Sequence, residues 1–249
     1  MIGGARHLGR VVALDLAAHG ADLAIGTRSA TGEAIATRAA ARALGRRCEI
    51  VSGDVAAPAA ASALVAGAAD ALGGLDVLVY AASGPFRPAA PQNVDPADLQ
   101  ASFDVIARGF FVAACTARER FVDGTAARRT DEPTRGVIVA LTDVLGVVPS
   151  AAFAGHGAAK AAQIMLVASL AKAWASDGVR VCGVAPGPID LPEDPRRAAT
   201  LRAAARTVTG RPVAPAEIAR AVRFVIACDA LTGVNLPVEG GTLLGPPAP

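Results

Sequence analysis

The sequence has few aromatic residues and no long uninterrupted apolar run. Phe, Tyr and Trp make up 4% of the 249 residues, whereas hydrophobic residues reach 53%, so a core must be built mainly from Ala, Val and Leu. No apolar stretch reaches the roughly 18 residues that a membrane-spanning helix needs. The N-terminus lacks a charged segment followed by an apolar one, the pattern typical of a signal peptide. We therefore expect no membrane partner.

A strong charge imbalance and closely spaced cysteines are also lacking. The formal net charge is +2, and the arginine pairs are scattered without interleaved aromatic residues, which argues against a nucleic-acid partner. The four cysteines are far apart in sequence, so they form no metal-binding motif or redox pair: Cys48, Cys115, Cys182 and Cys228. They indicate reduced, mostly buried thiols in a cytoplasmic protein, and we expect no metal site.

What the sequence does contain is an alternation of short apolar runs with longer helical segments. An unbroken run such as Gly136–Leu141 indicates a buried parallel strand. A segment rich in Ala, Leu and Lys, such as Ala158–Ala175, indicates a helix. We predict an α/β fold, a Rossmann-like doubly wound parallel sheet in a single domain over residues 1–245. The polar stretch 123–135 predicts a surface loop, and residues 246–249 a short disordered tail.

A glycine-rich turn leads into the first predicted helix, which runs from Leu8 to His19. Such a turn can bind a phosphate group because backbone N–H groups and the helix dipole both face the anion. We assign Gly3, His7, Leu8 and Gly9 to a dinucleotide site on this basis. Taken alone, the motif is also compatible with an ordinary glycine-rich turn.

The candidate catalytic residues follow the strand Gly136–Leu141. Asp143 lies at the carboxyl end of this strand, where open α/β sheets bind ligands. His156 and Lys160 are four residues apart and therefore share one helix face. A carboxylate, an imidazole and a cation could thus meet in one cleft, with Asp143 and His156 also contacting the substrate.

The order of these motifs resembles the short-chain dehydrogenase/reductase family. Its layout is matched by four features: Asp143, Gly146, the pair His156 and Lys160 at a spacing of four, and the run Val-Ala-Pro-Gly-Pro-Ile over 184–189. That family carries Ser, Tyr and Lys where this chain has Asp143, His156 and Lys160. Asp in place of the Ser is similar to the pteridine reductase branch, whereas His in place of the Tyr departs from both patterns.

The resemblance implies hydride transfer between a nicotinamide cofactor and a small molecule, with Lys160 bound to the nicotinamide ribose. It assigns further residues to the cofactor. These are Asp54 and Val55 beside the adenine, Ala82 and Ser83 after the fourth predicted strand (residues 75–79), and Pro186, Gly187 and Ile189 at the nicotinamide carboxamide. The family's Asn that anchors a proton-relay water is replaced by Ile106. The family also has a central strand before the glycine-rich turn, where only Met1 and Ile2 stand here. We therefore expect a truncated first strand and a natural start further upstream.

The second strand expected from the family's layout, residues 21–27, ends in a sequence that favours NADP(H) over NAD(H). NAD-binding members need an acid near the end of this strand to accept hydrogen bonds from the ribose. Here no acid is present, and Arg28 and Ser29 follow the strand, so that the arginine could bind a 2′-phosphate. An ordinary surface arginine is the alternative interpretation.

Other positions concern the substrate and the assembly. Phe86 is near the place where pteridine reductases have an aromatic ring that stacks on a flat substrate; a core or lid aromatic is the alternative. Residues 191–210 resemble the family's substrate lid. The C-terminal signature over 210–241 forms tetramer contacts in relatives, which implies a homo-oligomer, either a tetramer or a dimer.

We predict an NADPH-dependent oxidoreductase that reduces a small carbonyl, imine or conjugated double bond. The alternative is a catalytically divergent member: a pseudoenzyme, an oligomer partner or a non-redox acid/base catalyst. The enoyl reductase branch is less favoured, because its Tyr stands seven residues before the Lys and Phe153 in that place has no hydroxyl.

Overall fold

The computed structural model describes residues 1–123 and 134–245. The predicted tail at 246–249 and most of the loop predicted at 123–135 lie outside the described residues. The strands are β1 (Leu23–Thr27), β2 (Cys48–Ser52), β3 (Val77–Tyr80), β4 (Gly136–Leu141), β5 (Val179–Pro186) and β6 (Asn235–Val238). The helices are α1 (His7–Ala18), α2 (Gly32–Ala43), α3 (Pro58–Leu72), α4 (Pro96–Phe103), α5 (Gly109–Asp123), α6 (Ala154–Ala173), α7 (Arg197–Ala204) and α8 (Pro215–Ala227).

Every strand pair in the described chain is parallel, which confirms the predicted fold class. β1 pairs with β2, and β3, β4, β5 and β6 are neighbours in that order. Ile2 joins these two groups, because it forms parallel bridges to Gly26 of β1 and to Tyr80 of β3. Its N–H donates to the Val79 carbonyl and its carbonyl accepts from the Ala81 N–H, each at 2.9 Å. The sheet order is therefore β2-β1-Ile2-β3-β4-β5-β6.

At the centre of the sheet, Ile2 is the residue that bridges β1 and β3 where a full strand would otherwise lie. On the side of Ile2 away from the glycine-rich turn, a cavity of about 1020 Å³ lies between β1 and β3 and is lined by residues such as Leu23 and Val77. The Met1 amine borders it and donates to the Ala24 carbonyl at 2.6 Å. Burial lowers the pKa of this amine to about 6. The expectation of a start further upstream stays a prediction.

Helices cover both faces of the sheet. On one face α3, α5 and α6 pack in a core that contains Leu64, Phe110 and Val167. On the other face α1, α2 and α8 pack around residues such as Val12 and Ile218. The inner strands β1, β3, β4 and β5 are thus buried on two sides, which explains why most of their residues are apolar without alternation, whereas the edge strands β2 and β6 are half-buried. None of the helices in the described ranges is long and apolar enough to cross a bilayer.

Two differences from the predicted elements bear on the site. The helix predicted from Ala158 begins at Ala154, so that His156 and Lys160 both lie inside α6. The sequence over 98–121 predicts a single long helix, but the structure divides it, because a π-helical turn over Asp104–Arg108 separates α4 from α5. The predicted lid at 191–210 contains α7.

Candidate functional site

One cavity at the carboxyl edge of the sheet brings together most of the residues that the sequence assigned to the cofactor. Its volume is about 610 Å³. These predicted cofactor residues line it: Gly3, His7, Leu8, Gly9, Arg28, Ser29, Asp54, Val55, Ala82 and Ser83. Asp143, His156 and Phe86 line the same cavity. The parallel strands explain this convergence, because their carboxyl ends all meet at one edge.

The glycine-rich turn is too tight for side chains at two positions. A Cβ on Gly9 would lie 2.0 Å from the Gly3 carbonyl oxygen, and a Cβ on Gly3 would lie 2.8 Å from the Ala81 carbonyl carbon. His7, the first residue of α1, has a φ of 48°. This left-handed conformation favours glycine and strains a histidine by about 1 kcal/mol. The turn leaves room for a phosphate group against backbone N–H groups.

The end of β1 presents positive charge to the cavity. Arg28 and Ser29 follow β1 directly and are exposed. Arg6 also lines the cavity, and sequence reasoning missed it, although its place inside the glycine-rich turn was a usable signal. Glu33, in the first turn of α2, is the opposing charge on this side.

Asp54 shapes the loop on the adenine side of the expected site. Its carboxylate accepts a hydrogen bond from the Ala56 N–H at 2.9 Å. It does not cap α3, whose N-cap residue is Ala57. One carboxylate oxygen of Asp54 therefore orders the loop, while the residue itself faces the cavity.

Asp143 and His156 form a hydrogen-bonded pair at the border of the cavity. His156 Nε2 lies 3.2 Å from Asp143 Oδ2. Asp143 Oδ1 accepts from the Leu145 N–H at 2.9 Å, which holds the carboxylate in place. The Asp143 side chain is 24% exposed, whereas that of His156 is 5% exposed. An ionised Asp143 keeps the His156 proton on Nε2, because that nitrogen must donate.

Lys160 lies behind this pair, outside the cavity lining as far as the described residues define it. Its Nζ donates to the Leu141 carbonyl at 2.6 Å and to Gln163 Oε1 at 3.1 Å. Burial lowers the pKa of Lys160 to about 8, although the negative charge of Asp143 opposes the shift. Sequence reasoning missed Gln163; the signal was a polar residue within an Ala- and Leu-rich helix.

Phe86 is part of an aromatic cluster beside the pair. Its ring stacks on Phe153 at a centroid distance of 4.3 Å and meets the His156 ring edge-on at 4.6 Å. Arg196 places its guanidinium carbon 4.7 Å from the Phe86 ring centroid and donates to the Phe86 carbonyl at 2.9 Å. Asp194 pairs with Arg196. The lid segment therefore contacts the ring that was predicted to stack on the substrate.

The residues predicted to hold the carboxamide lie at the end of β5. Pro186 ends β5, and the Gly187 N–H donates to the Val238 carbonyl at 3.0 Å. Ile189 forms a bridge to Val213. β5 is the sheet neighbour of β4, which Asp143 follows. These three residues are nevertheless not among the described residues that line the cavity.

Comparison with known proteins agrees with this architecture. A family model described as "Enoyl-(Acyl carrier protein) reductase" matches residues 3–242. A cis-4-hydroxycyclohexanecarboxylate dehydrogenase from Sinomonas cyclohexanicum is 35% identical over 245 residues, which cover 96% of this chain and 93% of that protein. The chain belongs to the short-chain dehydrogenase/reductase family.

Further similarities support the same family. A peroxisomal 2,4-dienoyl-CoA reductase from Pongo abelii is 32% identical over 97% of this chain and 82% of its own. A crystal structure of a short-chain dehydrogenase from Burkholderia cenocepacia in complex with NADP has a TM-score of 0.84 and 31% identity, and covers 97% of this chain and 96% of that chain. The prediction of an NAD(P)-dependent oxidoreductase is confirmed at this level, and the non-redox alternative is not favoured.

The buried ammonium of Lys160 should make stability depend on pH. Because its folded pKa of about 8 lies below the ordinary value of 10.5, the unfolded chain binds more protons between these values. Stability should therefore rise with pH across this window and fall as the pH drops through 8. Relative to Lys160→Met, the wild type should gain about 2 kcal/mol between pH 8 and 10.

Urea unfolding of both proteins at several pH values measures this difference. The comparison cancels other titrating groups, including Tyr80, whose pKa burial raises. Parallel pH profiles for the two proteins would show that Lys160 does not titrate in this range.

Proposed function

We propose that the protein is an NADPH-dependent reductase that delivers hydride to a small carbonyl, imine or conjugated double bond. One observation carries this proposal. The Asp143–His156 pair borders the same cavity as the glycine-rich turn and Arg28. A proton donor and a dinucleotide site thus open into one space, as a reductase of this kind requires.

The turn fits the phosphate groups of a dinucleotide. Side chains at Gly3 and Gly9 would collide with the backbone, so the tight turn requires glycine at both positions, and it leads directly into the N-terminus of α1, where helices favour phosphate groups. Arg28 and Arg6 supply positive charge beside the end of β1. No Asp or Glu lies in β1 or in the five residues that follow it, 28–32. These features support a 2′-phosphate and therefore NADPH.

The proton chemistry belongs to Asp143 and His156. Reduced nicotinamide supplies a hydride when the coenzyme is bound. Asp143 orients the imidazole and holds its proton on Nε2, at the border of the cavity. To donate that proton to a substrate heteroatom, the role of Tyr in most family members, Nε2 must turn from Asp143 to the substrate while the ring carries a second proton on Nδ1, so that His156 is left neutral. Phe153 has no hydroxyl, and it packs against Phe86, which leaves His156 as the donor.

Lys160 contributes a positive charge to the same site. Its proposed role is to bind the nicotinamide ribose. Because Nζ is bonded to the Leu141 carbonyl and to Gln163, this role requires the side chain to rotate out toward the cavity. A pKa of about 8 keeps the lysine mainly charged at neutral pH.

The substrate class is proposed from the shape of the aromatic cluster and from relatives. Phe86 lines the cavity beside His156, which favours a flat or cyclic substrate similar to those of the pteridine reductase branch. The relatives named for cyclohexanecarboxylate and dienoyl-CoA substrates also act on ring or conjugated compounds. Pterins, cyclic ketones and conjugated thioesters are therefore the first compounds to screen.

Coenzyme preference provides the first test. NADPH should bind the wild type much more tightly than NADH, and Arg28→Ala should weaken NADPH binding about ten- to a hundred-fold because one charge-assisted contact is lost. NADH binding should change little. Titration of nicotinamide fluorescence measures both coenzymes, and Arg38→Ala, on the outer part of α2, is the matched control. Equal affinity of the wild type for both coenzymes would refute the phosphate role of Arg28.

Turnover provides the second test. His156→Phe keeps an aromatic ring against Phe86 but removes both nitrogen atoms. It should lower kcat by roughly 10²- to 10⁴-fold, with NADPH binding unchanged, because a general acid is lost. His19→Phe, at the exposed end of α1, is the control. Full activity of His156→Phe with any substrate found in the screen would assign the proton to another group.

We also propose that the protein forms a homodimer or homotetramer. Large apolar side chains are exposed on helices next to the core: Phe111 on α5, Met165 on α6 and Phe224 on α8. Exposed large apolar side chains on both faces of the sheet favour self-association through the helices that carry them. Light scattering should give a mass of two or four chains, and Phe224→Glu combined with Met165→Glu should reduce it. A monomeric wild type would contradict this assembly.

A further inference from the structure

We propose that Arg196, the residue directly before α7, binds the substrate and selects compounds that carry a carboxylate group. The carboxylate lies on the guanidinium while the group to be reduced lies beside His156. This inference rests on the proposed reductase function and deepens it, because it names the chemical class of the substrate.

Arg196 presents positive charge to the main cavity from the side of the predicted lid. It lines that cavity together with Asp143, His156 and Phe86. Its side chain is 43% exposed, whereas that of its partner Asp194 is 13% exposed. Asp194 is not among the described residues that line the cavity. A ligand in the cavity therefore meets the guanidinium and not the carboxylate behind it.

The guanidinium is held in one position before any ligand binds. Nε and Nη2 donate to the Asp194 carboxylate at 2.9 and 2.7 Å, and Nη1 donates to the Phe86 carbonyl at 2.9 Å. The guanidinium carbon lies 4.7 Å from the centroid of the Phe86 ring, whose π-system attracts a cation. Phe153 stacks on the same ring, so Phe86 is a fixed platform for Arg196. A side chain ordered in this way loses little conformational entropy on binding.

Two N–H groups of Arg196 remain available to a ligand. A guanidinium has one N–H on Nε and two on each of Nη1 and Nη2. The contacts with described residues use one on each nitrogen, which leaves one N–H on Nη1 and one on Nη2. A carboxylate can accept from both. Because Asp194 already compensates part of the positive charge, a singly charged carboxylate fits better than a doubly charged phosphate group.

One small molecule can reach both Arg196 and His156. The guanidinium carbon is 4.7 Å and the centroid of the His156 ring is 4.6 Å from the centroid of Phe86. The two groups are therefore no farther apart than the sum of these distances. A six-membered ring with a carbonyl on one side and a carboxylate on the other covers a span of this order. The substrate is thus a small compound whose carboxylate lies about one ring away from the reducible group.

The other arginines and lysines near the site lie elsewhere. Arg6 and Arg28 line the cavity at the glycine-rich turn and the end of β1, which is the coenzyme side. Lys160 lies behind the catalytic pair, and Arg87 lines a separate small cavity beside α4. Among the described residues, Arg196 is therefore the fixed cation at the substrate end of the main cavity.

A matched pair of substrates tests this role. The compounds 4-formylbenzoate and methyl 4-formylbenzoate share a flat ring and an aldehyde, but only the first is an anion. The ester is the more electrophilic aldehyde, so a preference for the acid must come from binding. With NADPH, the wild type should show a kcat/KM for the acid at least about ten-fold above that for the ester. Added NaCl should raise KM for the acid alone, because salt screens an exposed ion pair. Equal kcat/KM values would overturn the proposal.

Variants in the lid separate substrate binding from lid stability. Arg196→Met keeps the side-chain length and removes the charge, so it should lower kcat/KM for the acid about ten- to a hundred-fold through KM and change the ester's values little. Arg196→Lys keeps the charge without the planar fork and should retain part of the preference. Arg197→Met is the matched control, because Arg197 pairs with Asp190 on the same segment and is not among the described residues that line the cavity. An equal loss for acid and ester in Arg196→Met, or the same loss in Arg197→Met, would show that Arg196 only holds the lid.

Binding measurements distinguish this proposal from the reductase function. Arg196→Met should bind NADPH as the wild type does in the fluorescence titration. A loss of NADPH affinity with an unchanged acid preference would assign Arg196 to the coenzyme and overturn the proposal. Saturation-transfer NMR measures binding of both aldehydes without turnover, and the acid should bind the wild type at least about ten-fold more tightly than Arg196→Met. Failure of the wild type to bind NADPH would contradict the reductase function, whereas equal binding of the acid to both proteins would contradict the role of Arg196.

Discussion

The backbone hydrogen bonds of the segment Met1, Ile2 and Gly3 connect the two halves of the sheet, and the site depends on this connection. Arg28 belongs to the half that contains β1 and β2, whereas Asp143 follows β4 in the other half. Ile2, which is 3% exposed, bonds to the half that contains β3, whereas the Met1 carbonyl and the Gly3 N–H bond to Gly26 of β1. The glycine-rich turn begins in this segment, which therefore places the turn between Arg28 and Asp143 in the lining of one cavity.

Much of the site could be predicted because chain direction and strand order determine which residues meet. In a parallel sheet, the residues after each strand must gather at one edge, and this rule placed Arg28, Asp54, Ser83 and Asp143 around one cavity. Helical spacing likewise placed His156 and Lys160 on one face of α6. These inferences need only the order of elements and the periodicity of the backbone.

The rest depends on side-chain packing between distant segments, which periodicity does not describe. Lys160 shares a helix face with His156, yet its rotamer is set by the Leu141 carbonyl and Gln163, and it leaves the cavity lining. Phe86 was predicted either to stack on the substrate or to be a core or lid aromatic, and in the folded chain Phe153 and Arg196 contact its ring. The orphan Nδ1 of His156 also becomes visible only once burial is known. Each of these features is a choice among rotamers that long-range contacts decide.

The scarcity of aromatic residues also affects how the protein can be observed. It has one tryptophan, Trp174, which follows the last turn of α6, whereas His156 lies in the first turn. At 1.5 Å per residue the helix separates them by about 27 Å. Intrinsic emission from this indole would report on the far end of α6 and respond little to changes at Asp143 and His156. The tryptophan is therefore a probe of folding, and the Asp143–His156 pair has no indole beside it that could report on ligand binding.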